Sequence, residues 1–375
     1  MNKRELVLKT LQHEETDICP IFYLGMERSE TCYQAFAESD EADELFTMVP
    51  GVGDITLDRF FNVDLRGSQP FQPTRTPLVE QVLDDPELNL NYWGCITKRV
   101  KRASTGLPYN WHVEGYFREK ETVLEHWDKY GKPSEKLNPD EDFSRKKWED
   151  HVEALSPYFY PMGSYAISMF THISDAMGFD RLAYYMRKDP AFIQQIFDEY
   201  AKLNVEVLKA LADAGVDIFF YGDDLGQKDR GLLSLKNFRK FVIPAYKKLF
   251  GAAKKRGVFV IQHSCGNVTE YIPDLIDTGL DGLQSLEPAS GIDLAQINDD
   301  FGDKLALLGG VDSSVVCTFG TPKDVEEDVK KCLKAATPGG GYFVGPAHDI
   351  LSVPWENMLA LRAAIEKYRK LPINF

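Results

Sequence analysis

The stretch Val258-Phe259-Val260-Ile261-Gln262-His263-Ser264-Cys265-Gly266-Asn267 decides how the rest of the chain is read. Its first four residues, Val258 to Ile261, are a short, largely β-branched apolar run, and with Gln262 they suit a buried strand of a parallel sheet. The run then breaks, within one residue, into polar chemistry. On a strand, residues i and i+2 point to the same side, so His263 and Cys265 face one way at the strand's end, and Gly266 lets the backbone turn immediately. Imidazole nitrogen and thiolate sulfur are ligands that a borderline-soft ion such as Zn²⁺ takes at ~2.0–2.3 Å. His-x-Cys alone is a common triplet, and two ligands are not enough. Partners must come from neighbouring strand ends.

Working outward, the strand sits in a train of alternating elements. Asp189-Pro190 reads as N-cap and first helical residue of an amphipathic run (Phe192, Ile193, Ile196, Phe197, Leu203, Val207, Leu208, Leu211) that stops at Gly215. Asp217 to Tyr221 is a strand, and Leu235 to Arg256 a helix kinked at Pro244 and closed by Gly257. Downstream, Thr269–Thr278 is helical, Gly282–Leu286 a strand, Asp293–Phe301 a helix and Leu305–Leu308 a strand. Thr321-Pro322 caps a helix to about Ala336, Tyr342–Val344 is the last strand, and the terminal helix starts near Pro354.

This alternation implies a parallel sheet with helices outside, either an open doubly wound sheet or a closed (β/α)₈ barrel. The strands run directly into Gly222-Asp223-Asp224, His263-Ser264-Cys265-Gly266, Glu287-Pro288, Gly309-Gly310-Val311-Asp312 and Gly345-Pro346-Ala347-His348-Asp349. A barrel gathers all such ends at one mouth, whereas an open sheet spreads them along an edge. The expectation is an α/β fold, a distorted (β/α)₈ barrel spanning residues 1–375 as one domain.

In the first half, Asn2 and Glu5 form a capping-box pattern for a helix to about His13, and Ile18–Phe22 reads as a first strand. Residues 88–160 read as an insertion: a hairpin of Asn91–Val100 and Trp111–Lys120 about Ser104-Thr105-Gly106, then a charged surface excursion over Asp128–Asp150. Tyr92, Trp93, Tyr109, Trp111, Tyr116, Trp127 and Tyr130 make it aromatic-rich, as a satellite core holding the insert to the barrel or as a lid over a flat ligand.

At the mouth, His348 is the matching third ligand. Asp223, Asp224 and Glu287 stand as further ligands or as groups orienting an imidazole. Asp223 and Asp224 also form a candidate general acid/base pair, since paired carboxylates raise each other's pKa. Tyr221, Gln284, Glu287 and Asp312 are the candidate substrate contacts. In the bland alternative, both histidines line an organic pocket and Cys265 is a passive small residue. Cys19, Cys32, Cys95 and Cys332 read as buried thiols, Cys317 as a core or loop thiol before a ligand, and His13, His112, His126, His151 and His172 as solvated or structural.

The chain has 43 Lys and Arg against 58 Asp and Glu, a net charge of −15, which opposes nucleic acid and anionic membrane surfaces. No apolar run reaches about 18 residues, and no apolar signal core follows Met1-Asn2-Lys3-Arg4-Glu5, so a cytoplasmic protein is expected. Phosphate-loop, serine-hydrolase and dinucleotide fingerprints do not occur.

Lys3-Arg4-Glu5 to Pro20, Asp223-Asp224-Leu225-Gly226, Val260–Asn267, Gly309-Gly310-Val311-Asp312 and Gly341–His348 together resemble the uroporphyrinogen decarboxylase superfamily, most strongly from about residue 189 onward. The resemblance implies a distorted (β/α)₈ barrel and one of two activities: cofactor-free decarboxylation, or zinc-dependent methyl transfer with a corrinoid (cobalamin) protein as partner. The decarboxylases carry an Arg-Gln-Ala-Gly-Arg motif after the first strand, where Ile18–Arg28 here has a single arginine beside Glu27. The methyltransferases carry His-x-Cys where this chain has His263 and Cys265. Coenzyme M methyltransferases place a cysteine at the position of His348. That departure makes the ligand set two nitrogens and one sulfur, which implies a stronger Lewis acid and demethylation of a methoxylated aromatic compound. Methyl-corrinoid to thiol transfer, decarboxylation and non-catalytic tetrapyrrole binding are the competing expectations.

Overall fold

The computed structural model describes residues 1–24, 30–40, 42–50, 52–68, 83, 85, 87–91, 93–101, 108–135, 144–164 and 168–375. The strands that frame it are β1 (Leu65–Ser68), β2 (Leu88–Leu90), β3 (Cys95–Lys101), β4 (Pro108–Gly115), β5 (Tyr160–Ser164), β6 (Ile218–Gly222), β7 (Phe259–His263), β8 (Gly282–Ser285), β9 (Ala306–Val311) and β10 (Tyr342–Pro346). Seven of them form one parallel sheet in the order β10-β9-β8-β7-β6-β5-β1. The expected first strand, Ile18–Phe22, is reduced to bridges, Ile21 to Val344 of β10 and Phe22 to Leu65 of β1. Those two parallel bridges join the sheet's edges, so the segment supplies the eighth staves of a distorted (β/α)₈ barrel.

The inner face holds Phe22, Leu65, Tyr160, Met162, Ile218, Phe220, Ile261, Ala306, Leu308 and Phe343, closed at the N-terminal end by Val7 and Leu11 of helix α1 (Lys3–Leu11). Each large apolar side chain buried there contributes about 1.5–3 kcal/mol. Asn2 caps α1 by accepting the Glu5 N–H at 2.8 Å. The outer ring follows the expected signals. Asp189 caps a helix, Pro190–Ala214, that ends at Gly215 in the left-handed conformation, and Thr321 makes a full capping box for Pro322–Ala336. The helix expected over Leu235–Arg256 contains a π-turn at Phe238–Val242, immediately before Pro244. The wider turn accommodates a residue that lacks an N–H.

β1 and β5 escaped the sequence reading. Leu-Arg-Gly-Ser and Tyr-Pro-Met-Gly-Ser are too short and too rich in glycine, proline and polar residues to show strand periodicity. In the 88–160 region β2, β3 and β4 form a three-stranded antiparallel sheet, with the hairpin arms at Cys95–Lys101 and Pro108–Gly115. Helices Lys120–Tyr130 and Arg145–Leu155 take up the two ends of the charged stretch. Tyr92, Ser104-Thr105-Gly106 and residues 136–143 lie outside the described residues, as do 25–29 of the segment compared with the arginine motif. Trp93 and Trp127 pack in the main core with Phe117, Ile173 and Met177, and Trp93 stacks on His172 at 4.5 Å. Trp111 is 57% exposed, so the aromatic set does not act as one surface. Among the described residues no helix is long and apolar enough to cross a membrane.

Candidate metal centre at the barrel mouth

β7 delivers His263 by strand alternation: Ile261 faces the barrel interior, and His263, two residues on, faces it one layer higher. Beyond the strand the chain is clamped by the loop that follows β6. Asp223 N–H donates to His263 O (3.0 Å), Leu225 N–H to Ser264 Oγ (2.9 Å), Gly226 N–H to Cys265 O (3.2 Å) and Asn267 N–H to Gln227 O (2.7 Å). Gly266 makes this zipper possible. It has φ +76, and a Cβ there would sit 2.4 Å from the Gly226 carbonyl carbon. Gly266→Ala is therefore expected to destabilise the fold by about 1–3 kcal/mol through backbone strain alone. Denaturant unfolding measures that loss, and the displaced Cys265 should weaken metal binding in the same variant.

The expected trio is brought together. Cys265 Sγ lies 3.4 Å from His263 Nε2 and 3.0 Å from His348 Nε2, and three ligand atoms, one from each residue, lie within 4.8 Å of one another. The two nitrogens and one sulfur fit a borderline-soft ion. The histidines differ in readiness. His263 Nδ1 is bonded to Gln284 Oε1, which leaves Nε2 facing the cluster. His348 Nδ1 accepts the Asp349 N–H at 2.7 Å, so its proton sits on Nε2, toward the thiol. That proton must leave Nε2 before His348 can donate a lone pair there. Burial lowers the His263 pKa against the pull of Asp224, keeping the ring neutral as a ligand must be. Burial, followed by Asp224, raises the Cys265 thiol. A cation in the cluster is what would favour its ionised form.

The adjacent aspartates part company. Asp224 faces the mouth: Oδ1 accepts the Cys265 N–H at 2.8 Å and lies 3.5 Å from His263 Nε2, with the side chain 42% exposed. Asp223 is buried on the other side. Its carboxylate accepts the N–H groups of Met169 (3.1 Å), Phe170 (2.9 Å) and Thr171 (2.8 Å), and the hydroxyls of Thr171 (2.9 Å), Tyr246 (2.7 Å) and Tyr221 (3.3 Å). It caps the helix Phe170–Met177. Its pKa is raised by burial, against those donors, and not by Asp224 as the pairing argument expected.

The four candidate substrate contacts fare unequally. Tyr221 is fully buried behind the sheet and accepts the Met169 N–H. Gln284 is fully buried too, with both amide atoms used on His263 and on Ala347 O (3.1 Å), so no substrate reaches it. Asp312 caps its own loop through the N–H groups of Ser314 and Val315. Glu287 remains beside the cluster, held by the hydroxyls of Ser290 (3.0 Å) and Ser314 (2.9 Å), and its charge helps raise the Cys265 thiol. Cys317 is buried away from the trio, its thiol pushed up to about 12 by burial. Cys19, Cys95 and Cys332 are buried free thiols. The sequence reading missed Thr171, whose hydroxyl donates to Asp223 and accepts the Asp224 N–H (2.9 Å), and Ser313, whose Oγ accepts the His348 N–H (3.2 Å). Neither sits in a recognisable motif.

The chain is 25% identical over 204 residues to a methylated-thiol–coenzyme M methyltransferase of Methanosarcina mazei, which covers 54% of this chain and 52% of that protein. It is 29% identical over 182 residues to the methylcobamide:CoM methyltransferase MtaA of Methanosarcina barkeri (48% and 50% covered). It is also 26% identical over 196 residues to a uroporphyrinogen decarboxylase of Chlorobium phaeovibrioides (50% and 52% covered). The chain thus spans about half the length of the curated relatives it matches. A solved structure, a methyltransferase from Methanosarcina mazei, superposes with a TM-score of 0.65 over 98% of this chain and 99% of its own at 18% identity, which bears on the fold alone. Residues 135–368 match the family description "Uroporphyrinogen decarboxylase (URO-D)", and with well over half of its length matched the chain belongs to the uroporphyrinogen decarboxylase family.

Proposed function

We propose that this chain is a zinc-dependent, corrinoid-linked methyltransferase that removes the methyl group of a methoxylated aromatic compound and passes it to a corrinoid protein. The convergence of His263, Cys265 and His348 at the barrel mouth carries the reading, and the names of two curated relatives, both methyltransferases acting with coenzyme M, support methyl transfer. Zinc held by these three residues would supply a Lewis acid for the heteroatom that gives up its methyl group. The chain's own contribution is positioning. Asp224 holds the Cys265 backbone, the zipper of the two loops keeps that backbone in place, and Glu287 and Asp224 line the approach with negative charge. Two neutral imidazoles and a single thiolate leave more charge on the ion than two thiolates would, which favours polarising an ether oxygen over activating a thiol.

Transfer from a methyl-corrinoid to a thiol is the second reading, favoured by the coenzyme M substrates in those relatives' names. Decarboxylation draws less support, because the segment Ile18–Arg28 offers one arginine for a polycarboxylate. The test is metal analysis of protein purified without added zinc, alongside two assays: methoxylated aromatics with cobalt(I) corrinoid, and methylcobalamin with coenzyme M. About one zinc per chain and demethylation in the first assay are expected. Activity in the second assay only would select the thiol reading. Full methyl transfer by metal-free protein would overturn both.

A further inference from the structure

We propose that Gln284 is a positioning residue that sets which nitrogen of His263 is open to a metal, and that couples the two histidine-bearing strand ends. A backbone carbonyl can only accept, so the contact of Gln284 with Ala347 O at 3.1 Å requires the amide nitrogen there. The amide oxygen then faces His263 Nδ1, which must carry the proton. Nε2 is left as a lone pair, directed at Cys265 Sγ. Gln284 is fully buried, so water cannot substitute for either bond. β8 places it by register, since Gln284 is the direct partner of His263 across the β7–β8 ladder. Its other bond ends on Ala347, the residue before His348, so one side chain ties both imidazoles to a common geometry. His348 has no equivalent support, because its Nδ1 accepts from Asp349.

The inference rests on the metal reading above, and the experiment separates the two. In metal-free protein, long-range ¹H–¹⁵N NMR, assigned by the signals lost in His263→Ala, should show His263 as the Nδ1–H tautomer. Gln284→Met, similar in volume but without hydrogen bonds, should mix the tautomers and weaken zinc binding by about 10- to 100-fold in a chelator competition. Gln284→Glu still accepts from Nδ1 but cannot donate to Ala347, so it should keep the tautomer and recover part of the affinity. An Nε2–H tautomer in the unsubstituted protein overturns the proposal, as does unchanged zinc affinity in a folded Gln284→Met. If Gln284→Met fails to fold, the tautomer of the unsubstituted protein still decides. If that protein takes up no zinc, the metal reading falls while the tautomer measurement stands.

Discussion

Combining His263→Ala with Cys265→Ser is expected to reduce bound zinc to background while leaving a folded barrel. Both side chains sit at the mouth, beyond the last fully packed layer, and neither belongs to the buried cluster that holds the staves together. A four-ligand protein site binds zinc with about 10–16 kcal/mol at neutral pH, so each ligand carries on the order of 3 kcal/mol. Since 1.4 kcal/mol is tenfold in Kd, each loss costs about a hundredfold or more. Serine keeps the volume of Cys265 without a soft donor, and alanine removes the one imidazole whose Nε2 is already presented. Metal analysis of the purified variant gives the outcome directly. Retention of a full zinc complement would mean that the ion sits elsewhere.

Asp223→Ala has the second large effect, and it falls on stability. The carboxylate gathers three backbone N–H groups at the start of the helix Phe170–Met177 and three hydroxyls, all within 3.3 Å. Deleting it leaves those donors buried without an acceptor, and each buried donor left unsatisfied costs about 1–3 kcal/mol. Asp223→Asn should cost nearly as much, because one acceptor oxygen becomes an NH₂ group that meets donors on every side. The expected result is a lower denaturant midpoint with zinc content retained in the folded fraction. A folded, fully stable Asp223→Asn that loses only activity would restore Asp223 to the reaction. Asp224→Asn, by contrast, still accepts the Cys265 N–H, so its stability loss should be small.

The two aspartates show where sequence reasoning stops. Adjacent residues at a strand end point to opposite sides, so only one of Asp223 and Asp224 can face the mouth. Which one depends on strand phase, and that became visible only when β6 ended at Gly222 with Phe220 facing inward. Tyr221 and Gln284 failed as substrate contacts for related reasons. Both lie at strand ends as expected, yet one points into the helix layer and the other is sealed beneath His263.

By itself the sequence determined the alternating architecture of the second half, the helix caps at Asp189 and Thr321, and the pairing of His263 with Cys265. Each follows from short-range rules: periodicity, a capping side chain, and i to i+2 parity. His348 could also be singled out, because barrel topology sends every strand end to one mouth. Tertiary structure alone decided that β1 and β5 complete the sheet, and that Ile21 and Phe22 close the barrel through two bridges. It also decided that His263 Nδ1 meets Gln284 while His348 Nδ1 meets the Asp349 N–H. Those features depend on contacts between residues tens to hundreds of positions apart, whose register is fixed by packing across the barrel, and no local pattern in the chain encodes it.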